Sequence, residues 1–371
     1  MTTAPWLGEI MDSCLPASPI SNEAFLFAYI SVDGDGGGSE DRISALPDNL
    51  LCNVVSRLPV HDAARTGALS QRWRGLWHAT QLVLDDADLL PDGGPVDWRA
   101  PAAAVSRILA SHPGPFRCVH LANNLIDESN KDALAEWLRL LADKGVENLT
   151  LVNRPFSLKM PLQLPLSLLR CGASLRRLYL GVWLFPFTTG LSRSPDVFPH
   201  LQELGICAGI TEESDLQYVL ACSPKLEILA FISNYAYPDR VRIGSHSLRC
   251  VLVWHSLATE VAIMAAPHLQ RLIIYCTFPT EEGTTIKVKI GYAPELAVLG
   301  YLDTAKHVLE IGNTIIKARD KLNSTFWQGV APIKSLQSCV KKVVFDQSLL
   351  EKPPLVRREQ GQQSWPGITR D

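Results

Sequence analysis

The pattern apolar-x-x-apolar-x-apolar returns eight times between Phe116 and Tyr301, and no other feature limits the fold as tightly. The units are Phe116/Val119/Leu121, Val146/Leu149/Leu151, Leu175/Leu178/Leu180, Leu201/Leu204/Ile206, Leu226/Leu229/Phe231, Leu248/Val251/Val253, Leu269/Leu272/Ile274 and Leu296/Leu299/Tyr301. Their starts lie 30, 29, 26, 25, 22, 21 and 27 residues apart, close to a period of ~20–29 residues. Four units open alike, with Pro199, Pro224, Pro267 or Pro294 two residues before the leading leucine. A proline there stops what precedes it and starts an extended segment. The last two apolar residues of each unit alternate with a third residue, so they share one side of a strand. A single strand cannot bury that side. Neighbours stacked edge to edge make a parallel sheet over a continuous core. An ordinary α/β domain with leucine-rich strands is the other reading.

The intervening residues point away from the core and line the opposite face of the sheet. They are His120, Thr150, Tyr179, Gly205, Ala230, Leu252, Ile273 and Gly300, with Arg177, Trp254, Arg271 and Tyr275 beside them. Tryptophan, tyrosine and arginine dominate binding hot spots. We therefore expect Tyr179, Arg177, Trp254, Arg271 and Tyr275 to contact a protein substrate.

Ahead of the repeats, residues 41–77 read DRISALPDNLLCNVVSRLPVHDAARTGALSQRWRGLW. Pro47 suits a first helical position, where its missing N–H is not needed. Leu50, Leu51, Val54, Val55 and Leu58 then form a wide helical stripe, and Pro59 blocks its continuation. Asp62 is the expected N-cap of a second short helix. Ser70 is the expected cap of a third, which carries Trp73, Leu76 and Trp77. The segment is too short to bury these side chains alone. It either caps a larger domain or completes its core against another protein.

The order Leu46-Pro47, Leu50-Leu51, Ser56-Arg57-Leu58-Pro59 and Leu69-Ser70-Gln71-Arg72-Trp73-Arg74-Gly75-Leu76-Trp77 is similar to the F-box, in the version found in plant F-box proteins. The repeats resemble the degenerate leucine-rich repeats of the same proteins, although the asparagine of the standard repeat is mostly missing. Ala305–Lys317 resembles the stretch that leads into the C-terminal region called FBD. The resemblance implies an α/β chain: an N-terminal three-helix F-box, then a leucine-rich-repeat solenoid with a parallel β-sheet horseshoe. It implies that Leu46, Pro47, Leu50, Leu51, Val54, Leu58, Leu69, Trp73 and Trp77 supply the adaptor-facing and core positions, two roles that the sequence does not separate. The partners implied are a Skp-type adaptor, through it a cullin, and an unknown protein substrate. The function implied is substrate recognition in a Skp–cullin–F-box ubiquitin ligase. The other readings are a repeat scaffold without ligase activity and a hydrolase on an α/β core.

The expected organisation is a flexible glycine-rich segment (1–40), the F-box (41–80), a connection (81–112), the solenoid (113–317) and an irregular, truncated C-terminal region (318–371), in which SLQSCVKKVVFDQ (335–347) reads as one more strand. A net charge of -3 over 371 residues argues against a nucleic-acid surface. His255 and Glu260 interrupt the best candidate for a membrane span. Nine cysteines without a C-x-x-C spacing speak against a zinc ribbon or redox pair and fit a cytoplasmic or nuclear protein. No P-loop, G-x-S-x-G or H-E-x-x-H occurs. We therefore expect a non-enzyme with no catalytic, cofactor-binding or metal-binding residues.

Overall fold

The fold comes from a computed structural model that describes residues 43, 45–90, 97, 99–154, 161–209, 211–232, 240–254, 256–275, 285–302, 306–312, 314–317 and 342–345. The expected flexible segment 1–40 and most of 318–371 lie outside the described residues. The chain divides into two compact units, Met1–Val182 and Trp183–Asp371.

The first unit begins with three short helices: α1 (Asp48–Val55), α2 (Val60–Thr66) and α3 (Gln71–Ala79). After them come β1 (Leu82–Asp85), α4 (Ala100–Ser111), β2 (Phe116–Asn124), α5 (Lys131–Asp143), β3 (Asn148–Asn153), α6 (Ser167–Cys171) and β4 (Arg177–Gly181). The four strands pair in order, all parallel. The repeat pattern sets the register: Val119, Leu149 and Leu178 stand side by side, as do Leu121, Leu151 and Leu180. Helix α5 closes one side of this sheet. Its Leu134, Trp137, Leu138 and Leu141 fall at helical spacing and are all buried. Trp137 Nε1 donates to Ser106 Oγ on α4 at 2.7 Å, which satisfies the indole inside the core.

The sheet starts earlier than the repeat pattern. Strand β1 lies in the stretch read as a connection, yet all four of its residues are buried. Asp86, directly after β1 and 0% exposed, ties it to β2. Its carboxylate accepts hydrogen bonds from the backbone N–H groups of Ala122 and Asn123 and from the side-chain amides of Asn123 and Asn124. Asn153, opposite Asn124 in the register, bonds both backbone groups of Ile126 at 2.8 Å. Asn153 thus closes the turn after β2, while the Asn124 amide adds to the Asp86 tie.

The second unit contains β5 (Glu203–Cys207), α7 (Glu213–Cys222), β6 (Ile228–Ile232), β7 (Arg240–Gly244), β8 (Cys250–Trp254), β9 (Glu260–Ala265), β10 (Arg271–Tyr275), β11 (Ile286–Tyr292), β12 (Val298–Leu302), β13 (His307–Ile311), β14 (Thr314–Lys317) and β15 (Lys342–Phe345). One parallel ladder runs β5-β6-β8-β10-β12-β15. It stacks Leu204, Leu229, Val251, Leu272 and Leu299, again as the repeat pattern requires.

A second ladder runs β7-β9-β11-β13, closed by antiparallel β14. The sequence reading assigned one strand to each repeat, and here several repeats carry two. The cause is spacing. In the intervals of 22 and 21 residues the chain is too short for a strand, a helix and two connections, and the return segment is itself a strand; the following interval of 27 residues continues the ladder with β11, which pairs with β9. Its signature is alternation: Val241/Ile243, Val261/Ile263 and Val288/Ile290 are buried and aligned.

The outer side of this ladder carries charge. Glu260 on β9 receives Lys289 at 2.9 Å and Arg242 at 3.3 Å. Burial pushes the Glu260 carboxyl up, and these two cations outweigh it, leaving it below the ordinary range. A depressed carboxyl stabilises the fold above its unfolded-state pKa, and this support is lost as pH falls through the folded-state value. Glu260→Gln is therefore expected to cost about 1–2 kcal/mol at neutral pH. In urea titrations the gap between variant and parent should close at pH 3, and a gap independent of pH would refute the pairing. Among the described residues, no helix is long and apolar enough to cross a membrane.

Candidate functional site

The three-helix module is built from its caps inward. Pro47 sits at the N-cap of α1 (φ -58°, ψ 149°), one residue ahead of the expected position, and Asp48 opens the helix. The N-cap of α2 is Pro59 rather than Asp62, because the fixed φ of proline presets the turn into the helix. Asp62 falls in the first turn, 3.2 Å from Arg65. Ser70 caps α3 as expected, its Oγ accepting the Trp73 N–H at 3.3 Å. Ser70→Ala should cost about 1 kcal/mol, read as a lower melting temperature of the purified chain. An unchanged melt would mean that the cap contributes nothing.

The structure divides the nine residues assigned to this module. Leu51 and Trp73 are buried, forming its core with Val55, Val60, Ala63 and Leu76. Leu46, Val54 and Leu58 are half-buried. Trp77 is also half-buried, with its ring 4.7 Å from that of His112. Pro47 is exposed, and Leu50 (49%) and Leu69 (68%) stand well out into solvent. Ile43, which the sequence reading passed over, joins them at 60%. Arg72 holds the edge of this face. Its guanidinium donates to the Leu46 carbonyl at 2.6 Å and to Asp48 Oδ1 at 2.6 and 2.9 Å. The clamp ties the Leu46–Asp48 lead-in to the start of α3. The arginine was visible in the motif, but its task was not, because the bond spans 24 residues.

His112 joins the module to the first repeat. It is fully buried between Trp77 and Phe116, whose ring lies 5.2 Å away. Its Nε2–H donates to the Thr80 carbonyl at 3.2 Å, and Lys144 Nζ donates to the His112 carbonyl. The approach is tight enough that a Cβ on Gly114 would stand 2.6 Å from the backbone oxygen of His78. Only glycine fits there.

On the repeats, Arg177 is exposed and Tyr179 half-buried on β4 of the first unit. In the second unit the register sets Tyr275 beside Trp254, and Arg271 beside Cys250. Arg271 is exposed and Trp254 half-buried. Gly205, Ala230, Leu252, Ile273 and Gly300 form one unbroken row across β5, β6, β8, β10 and β12. A shallow depression of about 260 Å³ at the N-terminal rim of these strands is lined by Lys225, Glu227, Arg249 and His268, among others.

Among the described residues, one group has metal-ligand composition: Asp85, Asp86 and His120 bring ligand atoms within 4.8 Å of one another. Asp86 already accepts four N–H donors, so its charge is spent on holding β1 to β2.

A family model described as "FBD-associated F-box protein At5g56370, LRR repeats" matches residues 134–344, and an F-box domain model matches residues 43–82. F-box/LRR-repeat protein 13 of Arabidopsis thaliana is 26% identical over 225 residues, 58% of this chain and 47% of the relative. F-box/FBD/LRR-repeat protein At1g13570 of the same plant is 31% identical over 118 residues, 31% of this chain and 28% of the relative. FBD-associated F-box protein At5g18780, also from that plant, is 49% identical over 57 residues, 15% of this chain and 13% of the relative. The chain thus spans less than half the length of these relatives. The repeat model covers more than half of the chain, and an F-box match over the three helices precedes it, so this chain belongs to the FBD-associated F-box proteins with leucine-rich repeats.

Proposed function

We propose that this chain is the substrate-recognition subunit of a Skp–cullin–F-box ubiquitin ligase, acting in the cytoplasm or nucleus. The observation that carries this reading is the exposed apolar surface of the three-helix module. Ile43, Leu50 and Leu69 are each exposed on the module, although the module has a core that takes other aliphatic side chains. Three large apolar side chains left in solvent by a module of under forty residues mark a protein interaction surface. The occupant proposed is a Skp-type adaptor that links the chain to a cullin. The repeats then hold a protein substrate. The chain makes and breaks no bonds itself. It raises the effective concentration of substrate near the transferring enzyme, where two reactants on one frame meet far more often than in solution.

The test is direct. The full chain, mixed with a plant Skp-type adaptor and run on a sizing column with light-scattering detection, should elute as a complex with the summed mass of one copy of each. Separate elution at micromolar concentrations would end the ligase reading.

A further inference from the structure

We propose that residues Ala24–Val32 cover the exposed apolar surface of the three-helix module in the free chain, and that the adaptor docks by displacing them. This rests on the proposed docking of the adaptor at that surface and names how the same site is regulated.

Three observations support it. The first is that both parties need cover. Ile43, Leu50 and Leu69 stand 60%, 49% and 68% exposed. The Arg72 clamp on Leu46 and Asp48 holds the chain that carries Leu69 against the chain that carries Ile43 and Leu50. Ala24–Val32 reads AFLFAYISV, in which Ser31 alone is neither apolar nor aromatic and nothing is charged. Burying the one against the other removes apolar area of both from water.

The second is reach. Val32 precedes Ile43 by 11 residues, a span of up to about 36–40 Å. Helix α1 has 8 residues and is about 12 Å long. Residues 24–32 can therefore meet Leu50 and Leu69 from their own attachment at Ile43. A tether this short gives a local concentration of about 1 mM or more, and an occupant so favoured lowers the apparent affinity of any competitor by the fraction of chains left open.

The third is charge. Residues 1–41 hold 7 acids and no lysine or arginine, a charge of -7 within a total of -3, so the rest of the chain carries +4. Four of the acids, Asp33, Asp35, Glu40 and Asp41, stand between Val32 and the module. The module has Arg57, Arg65, Arg72 and Arg74 against Asp48 and Asp62. Asp62 pairs with Arg65 and Asp48 with Arg72, so the exposed Arg57 and Arg74 are in excess. The acids ahead of the module are drawn to these two. They are kept from the start of α2, where Asp88 already feels the charge of Asp62.

Hydrogen–deuterium exchange on the full chain, read by mass spectrometry, tests the covering without the adaptor. Amides of residues 24–32 should exchange at least fivefold faster in the exposed-surface variant Leu50→Asp/Leu69→Asp than in the parent, with a melting curve to show that the variant is folded. The difference should persist on dilution. Equal exchange in the two chains would overturn the proposal, and so would protection that disappears on dilution, which would assign the cover to a second copy. Isothermal titration then compares adaptor binding by the parent and by Phe27→Asp/Ile30→Asp, whose changes lie outside the module. That variant should bind at least fivefold tighter, and equal, measurable affinities would overturn the displacement. If neither chain binds the adaptor while the exchange difference stands, the ligase reading fails and the covering remains.

Discussion

Leu50→Asp is expected to abolish capture of the Skp-type adaptor while leaving the chain folded. The folded chain tolerates the change because Leu50 is 49% exposed. Its cost there is the poorer helix propensity of aspartate and a few tenths of a kcal/mol of lost packing, about 1 kcal/mol together. The complex does not tolerate it. Covering a leucine contributes about 1.5–3 kcal/mol, and an aspartate in its place must lose water without a partner, at a further cost of about 2 kcal/mol or more. Affinity should fall more than 100-fold. Leu50→Ala removes only the apolar term and should cost about tenfold. Leu69→Asp tests the other exposed leucine, just ahead of α3. Leu51→Asp is the contrast: that side chain is 0% exposed, and charge there destroys the module's own core. Isothermal titration against the adaptor, with a melting curve for each variant, separates these cases. Affinity within about threefold of the parent for a folded Leu50→Asp chain would show that another face docks.

That experiment depends on a distinction the sequence does not contain. Leu50 and Leu51 are neighbours of one residue type in one apolar stripe, yet one is core and the other is surface. Helical spacing places a stripe on a face, but it does not say how wide a face the remaining helices cover. The repeat ladder behaves differently. Leu149, Leu178, Leu204, Leu229, Val251, Leu272 and Leu299 are legible because a parallel strand buried by stacking needs the same position apolar in every unit. The second ladder was missed although Val241/Ile243 and Val261/Ile263 alternate plainly. Two alternating apolar residues are too short a pattern to separate a second strand from a connection, and they start at a different place in the repeat from the leucine-led hexad. The Asp86 tie was out of reach for another reason. Its partners Ala122, Asn123 and Asn124 lie 36–38 residues away, and a carboxylate next to β1 looks like a turn residue until β2 is placed beside it. His112 escaped in the same way: a lone histidine before a proline carries no signal of the two rings that enclose it.

His112 also makes the second large effect. Burial is the main cause that pushes its imidazole down, to about 4 from an ordinary 6.5; the Lys144 ammonium adds to this and the Thr80 carbonyl opposes it. Above pH 6.5 the ring is neutral whether the chain is folded or not, and the group has no effect on stability. As pH falls below 6.5 the unfolded chain binds a proton that the folded chain refuses, so unfolding gains free energy until the folded ring also titrates near pH 4. At about 1.4 kcal/mol per pH unit, that interval amounts to about 3 kcal/mol of stability lost. The loss falls on the junction between Trp77 and Phe116, where the three-helix module meets the first repeats. His112→Phe keeps an aromatic ring in the site and cannot take a proton. It should be about 1 kcal/mol less stable than the parent at pH 7.5, since it leaves the Thr80 carbonyl unpaired. It should then overtake the parent between pH 6 and pH 4, because the parent alone pays the proton-linked cost. Denaturant titrations on both chains at half-unit pH steps read this crossing, and groups such as Glu260, present in both, cancel in the difference. Parallel curves without a crossing would mean that the buried imidazole accepts its proton in place, and that the junction is more hydrated than its packing implies.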